Sequence, residues 1–215
     1  MKKNIKIILK KFKAQELAAA AGLLIFIFIN IFSFGERCAE IRSGVLRLHV
    51  IANSDAEADQ EMKLAVRDAL LETGADIFKN SLSAEEAAGK IAKQRGALES
   101  AARAAADAYE RGYDVKIILT EEYFGTRSYE NFTLPAGKYR AVKAIIGAGE
   151  GQNWWCVMFP PLCLPAAEGG EADMNAVFTG DELRLIESSP KYELRFKIVE
   201  IYEKIAARLL SGRAR

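Results

Sequence analysis

Histidine occurs once in this chain, at position 49, and cysteine three times, at positions 38, 156 and 163. A single histidine excludes a multi-histidine metal site, and nothing near His49 in sequence fixes a nucleophile. Basic residues are outnumbered beyond the N-terminus: residues 36–215 hold 24 Lys and Arg against 28 Asp and Glu, a net charge of −4. Phosphate binding needs a basic face, so nucleic acid is not an expected partner. There is no internal repeat and no sign of a second domain. With 50% hydrophobic and 27% charged residues, the chain is long enough for one globular domain with a substantial core.

What the chain has in abundance comes first. Lys2, Lys3, Lys6, Lys10, Lys11 and Lys13 precede the run Leu17 to Phe34, in which only Asn30 and Ser33 are polar apart from Gly22. The lysines hold the N-terminus on the cytoplasmic side, and the rest of the chain is expected to cross to the other face. Eighteen residues at about 1.5 Å each give roughly 27 Å, just short of the hydrocarbon thickness. Two outcomes stay open: a membrane anchor, or a cleaved signal peptide with Ser33-Phe34-Gly35 at the cut. A lipoprotein is disfavoured by Glu36 and Arg37 before Cys38. The organisation read from sequence is a signal or membrane segment over 1–35, a linker over 36–44 and an exported α/β domain over 45–212.

Within that domain, Leu46, Leu48 and Val50 alternate with Arg47 and His49 and predict a strand. Ser54 and Glu57 have the capping-box spacing, with Asp55 as an alternative cap, and open a helix whose apolar residues keep helical spacing up to Gly74. A second box, Ser83 and Glu86, opens an alanine-rich stretch to Arg111 that predicts one long helix with a narrow small-residue face. The segments YDVKIILTEEYF, NFTLPAGKYRAVKAIIG and NWWCVMFP predict consecutive strands of one sheet. Leu164 to Pro190 reads as a surface excursion with one short ordered piece around LRLIE. A last strand from Tyr192 and a helix from Val199 close the chain. The expected fold is a single α/β domain: a mixed β-sheet, two early helices packed on it, a C-terminal helix and the N-terminal membrane or signal helix.

Candidate chemistry is sparse. Asn53, Asp55, Glu57 and Asp59 look superficially like a calcium loop but lack its glycine and terminal glutamate. GAGEG at 147–151 is followed by an extended segment, not by the helix a dinucleotide loop requires. Glu121 and Glu122 point to opposite faces of a strand and cannot form an acid and base pair. No catalytic residue, metal ligand or cofactor site is therefore assigned. A thiol nucleophile at Cys156 with His49 as base would make an exported cell-wall hydrolase, and a passive envelope-binding module is a further alternative. Cys156 and Cys163 flank VMFPPL, whose prolines can reverse the chain. A disulfide between them is the favoured reading, with two buried thiols the other. Trp154 and Trp155 alternate to opposite faces, so one is expected to stay partly exposed. With Phe159 and Pro160 they form the favoured partner-binding surface.

The strings LRLHVIANSDAEADQEMKLAVRDAL at 46–70, GKYRAVKAIIGAGEGQNWWCVMFPPLC at 137–163 and the later RFKIVE resemble the stage II sporulation protein R family. The resemblance implies an exported signalling protein of endospore formation, not a known enzyme. It implies a place between forespore and mother cell, and a partner that is a membrane-embedded aspartic protease, which then processes the sigma-E precursor. It supplies no catalytic residues.

Overall fold

The computed structural model describes residues 14–129, 132–162 and 178–187. Cys163, most of the tract after it, and the strand and helix expected beyond Lys191 lie outside the described residues. The chain divides into two compact units, residues 1–39 and 40–215. Helix α1, Ala14–Ser43, is long and apolar enough to cross a membrane, and the side chains from Leu23 to Ile29 are exposed along it. Its 30 residues rise about 45 Å. The stretch read as a linker is thus helical as far as Ser43.

In the second unit, β1 (Leu46–Ile51), β2 (Val115–Phe124), β5 (Gly137–Ile146) and β6 (Asn153–Phe159) form a four-stranded sheet in the order β2-β5-β1-β6. β1 runs parallel to β5 and antiparallel to β6, and β2 is antiparallel to β5, so the sheet is mixed. Two short strands, β3 (Arg127–Ser128) and β4 (Thr133–Leu134), pair separately. Sequence periodicity does not detect β3, because two residues carry no period.

Helices α2 (Glu57–Ile77), α3 (Ala84–Lys93) and α4 (Arg95–Asp107) bury Met62, Val66, Leu70, Ala87, Ile91, Leu98 and Ala102 in one core with Leu46, Leu48, Val50, Val142 and Ala144. The alanine-rich stretch is therefore two helices, broken at Gln94 (φ −110, ψ 23). The run Lys93-Gln94-Arg95 offers no apolar anchor, and the poor helix former Gly96 follows it. Ser83 does cap α3, accepting from the Glu86 amide, while the Glu86 carboxylate accepts from Leu82.

The first expected cap is absent. Ala56 stands at the start of α2 with no side-chain cap, because Asn53, Ser54 and Asp55 are engaged elsewhere. Gly74 lies inside α2, which runs on to Ile77, and a Cβ there would sit 2.3 Å from the Met158 ε-methyl, so it marks close packing on β6. The short ordered piece near LRLIE is α5, Gly180–Ile186, with a complete capping box between Thr179 and Glu182.

Candidate functional site

Because side chains alternate along a strand, β1 sends Leu48 to the helix side of the sheet and Arg47 and His49 to the other. The pairing register carries this across the sheet: Leu48 lies opposite Cys156, His49 opposite Trp155, and Val50 opposite Trp154. The two tryptophans therefore separate as expected. The Trp154 ring lies under the Arg67 guanidinium of α2, 4.5 Å from it, and is 37% exposed. Trp155 is half-buried, stacked on His49 at 3.7 Å and edge-on to Phe124 at 4.9 Å. It lines a cleft of about 290 Å³ with Tyr123, Phe124, Gly125, Thr126 and Arg127. Phe159 and Pro160, expected beside the tryptophans on a partner surface, are buried. Phe159 belongs to the helix-side core, edge-on to Phe78.

His49 is 3% exposed. Its Nδ1 donates to Glu122 Oε2 at 2.8 Å, and its Nε2 faces the Asn153 amide oxygen at 2.7 Å. Glu122 accepts a second bond from Lys143 Nζ at 2.9 Å. Burial raises the Glu122 pKa, but the hydrogen bonds from Lys143 and His49 outweigh it and hold the carboxyl below its ordinary value. Neither nitrogen of His49 faces a hydroxyl or thiol. Cys156 points to the opposite side of the sheet, is buried in the helix-side core and is disulfide-bonded. The Cys156–His49 pair that a hydrolase would need is not formed. With Cys163 outside the described residues, the pairing of Cys156 with it stays a proposal.

Beside His49, Arg47 is fully buried. Its Nε donates to the Cys156 carbonyl at 3.0 Å and one terminal nitrogen donates to the Tyr129 hydroxyl at 2.8 Å. The rings of Phe124 and Tyr139 lie 4.4 and 5.1 Å from the guanidinium carbon. Burial lowers its pKa. The alternation of β1 makes Arg47 and His49 neighbours on one face. Their partners come from β2, β5, β6 and Tyr129 after β3, and no sequence period links those to β1.

At the carboxyl ends of the parallel strands β1 and β5, the two family-like strings interlock. Asn53 and Ser54 donate to Asp59 Oδ2 at 2.8 and 2.6 Å, Ala148 N donates to Asn53 Oδ1 at 2.9 Å, and Gln152 N donates to Asp55 Oδ1 at 2.8 Å. Asp59 is 2% exposed, and the bonds from Ser54 and then Asn53 hold its carboxyl below the ordinary range. A depressed folded pKa contributes stability that is complete above the unfolded value near about 3.9 and lost as the pH falls through the folded value. Asp59→Asn is therefore expected to remove about 2 kcal/mol at pH 7 and to lose less than the parent on acidification. Urea midpoints at pH 7 and pH 3 check this, and equal midpoints at pH 7 would show the carboxylate to be idle.

The molecule is thus an α/β domain following an apolar helix able to span a membrane, with a charged and aromatic face on its sheet. A model of the stage II sporulation protein R family matches residues 42–168. Stage II sporulation protein R of Bacillus subtilis strain 168 is 35% identical over 127 residues, covering 59% of this chain and 57% of that protein. The chain belongs to the stage II sporulation protein R family. No solved structure matches it.

Proposed function

We propose that the chain is an intercellular signal of endospore formation. In this reading it leaves the forespore through its N-terminal helix, by anchoring or by cleavage. It then activates a membrane-embedded aspartic protease in the mother-cell membrane, which processes the sigma-E precursor. Family membership carries the reading. The geometry supports recognition in preference to chemistry, since His49 is enclosed by Glu122, Asn153 and Trp155, and Cys156 is held in a disulfide on the other face.

Trp154 is the anchor we assign to the contact, because it is exposed, rigidly backed by Arg67 and placed where the two family-like strings meet. Removing an exposed tryptophan at a hot spot costs about 2 kcal/mol, roughly thirtyfold in affinity. Co-production of each variant with the protease and the sigma-factor precursor is the test, with propeptide removal as readout and circular dichroism as folding control. Trp154→Ala should block processing, and a folded His49→Gln should process normally. The reverse result, an active Trp154→Ala beside a folded but inert His49→Gln, returns the enzyme reading to first place. A chain that binds the protease without altering proteolysis is a passive module.

A further inference from the structure

Strand β2 ends the sheet, and among the described residues no strand pairs with its outer edge. Its ten residues span about 33 Å, and no bulge interrupts its register with β5. A long, regular edge is a template for another chain, which proteins ordinarily blunt with charge, proline or a bulge. From Ile117 to Thr120 this edge has none of the three, and Ile118, Leu119 and Thr120 are half-buried. Two clefts flank it and share Leu119. One, of about 380 Å³, is lined by Ala92, Arg95 and Lys116 to Leu119. The other, of about 310 Å³, includes Ala88, Glu121 and Arg140. Ala88 and Ala92 lie one turn apart on α3, and their small side chains leave this space beside the edge strand.

We propose that the outer edge of β2 accepts an extended segment of a partner protein as a fifth strand, with side chains from one face of that segment entering the two clefts. The cleft at Lys116 is basic: among the described residues Lys116 has no ion pair, while Arg95 is shared with Glu99 at 3.3 Å. It takes a carboxylate side chain. The cleft over Ala88 and Leu119 takes an apolar one. A second copy of β2 fits less well. Antiparallel pairing about Leu119 would set Lys116 opposite Glu122, whose carboxylate is already held by His49 and Lys143. The partner's identity rests on the activator reading above; the strand addition does not.

The test is amide hydrogen exchange on the full chain in lipid nanodiscs, alone, with the co-purified protease, and with a synthetic threonine-rich peptide that carries one glutamate and one valine two residues apart, and so on one face of a strand. The β2 amides should exchange at least about tenfold more slowly with the protease and with the peptide. Ala92→Trp, which fills one cleft from an exposed position, should weaken both complexes about tenfold without unfolding the domain. A protease complex without slowing on β2, or one indifferent to Ala92→Trp, overturns strand addition and leaves the activator reading standing. Slowing by the peptide with no protease complex supports the strand site and sinks the activator reading. No slowing by the peptide together with no protease complex overturns both, and slowing that depends only on the chain's own concentration replaces the partner with a second copy.

Discussion

Arg47→Ala is expected to lower the unfolding free energy by about 4 kcal/mol, and Arg47→Met by less than half of that. Two effects compete at this residue. Removing a cation from water costs several kcal/mol even after relaxation, and among the described residues no carboxylate pairs with this one. One terminal nitrogen, Nη1, also lacks a hydrogen-bond partner. Against that stand the aromatic faces of Phe124 and Tyr139, which attract a desolvated cation by about 2 kcal/mol, and two hydrogen bonds of about 1 kcal/mol each. These terms nearly cancel, so the charge itself adds little. What remains is volume. Alanine leaves a cavity among the aromatic rings and methionine fills most of it. Both variants strip the Cys156 carbonyl and the Tyr129 hydroxyl of the same donor, so their difference reports the cavity alone. Urea unfolding of both variants checks it, and a methionine variant as damaged as the alanine one would show that the cation is indispensable.

The elements with a long period were legible in the sequence, and the tertiary pairings were not. Alternation located β1, β2, β5 and β6 and placed Trp154 and Trp155 on opposite faces. Apolar periodicity located α2, but its first residue was misplaced, because the Ser54 hydroxyl donates to Asp59 and accepts from the Ala56 amide instead of capping the Glu57 amide. On either side of Ser54, Asn53 and Asp55 accept from the Ala148 and Gln152 amides, in a loop almost a hundred positions away. The same distance hid the partner of His49. Glu122 is recognisable as facing one side of β2, but β5 had to be threaded between β2 and β1 before the two side chains could meet. The cysteine and histidine that suggested a hydrolase failed on parity: Cys156 opposes Leu48, and His49 is one residue further on the other face.

Gly151→Ala is expected to cost about 3 kcal/mol in stability and to impair signalling in proportion. A Cβ at this position would stand 2.3 Å from the Ser54 carbonyl oxygen, 2.5 Å from its carbon and 2.9 Å from the Ala52 Cβ. The neighbour that must yield is backbone, so no rotamer change relieves the contact. At Gly147, by contrast, the nearest atom is the Asn53 side-chain oxygen at 2.3 Å. The Ser54 backbone cannot retreat alone. Gly151 N donates to the Ala52 carbonyl at 2.9 Å, Glu150 N to the Asn53 carbonyl at 3.2 Å, and Lys63 Nζ to the Gln152 carbonyl at 3.2 Å. Lifting the loop from its neighbour therefore breaks several bonds together and shifts Trp154, two residues after Gln152. Gly89, inside α3 with nothing within 4 Å of its Cβ position, is the control. There the same substitution should stabilise by about 0.5–1 kcal/mol through helix propensity alone. Thermal or urea unfolding of the two variants, alongside propeptide removal, decides the matter. If Gly151→Ala unfolds and signals like the parent, the two family-like strings are not locked together by this contact, and the placement of Trp154 must depend on the sheet alone.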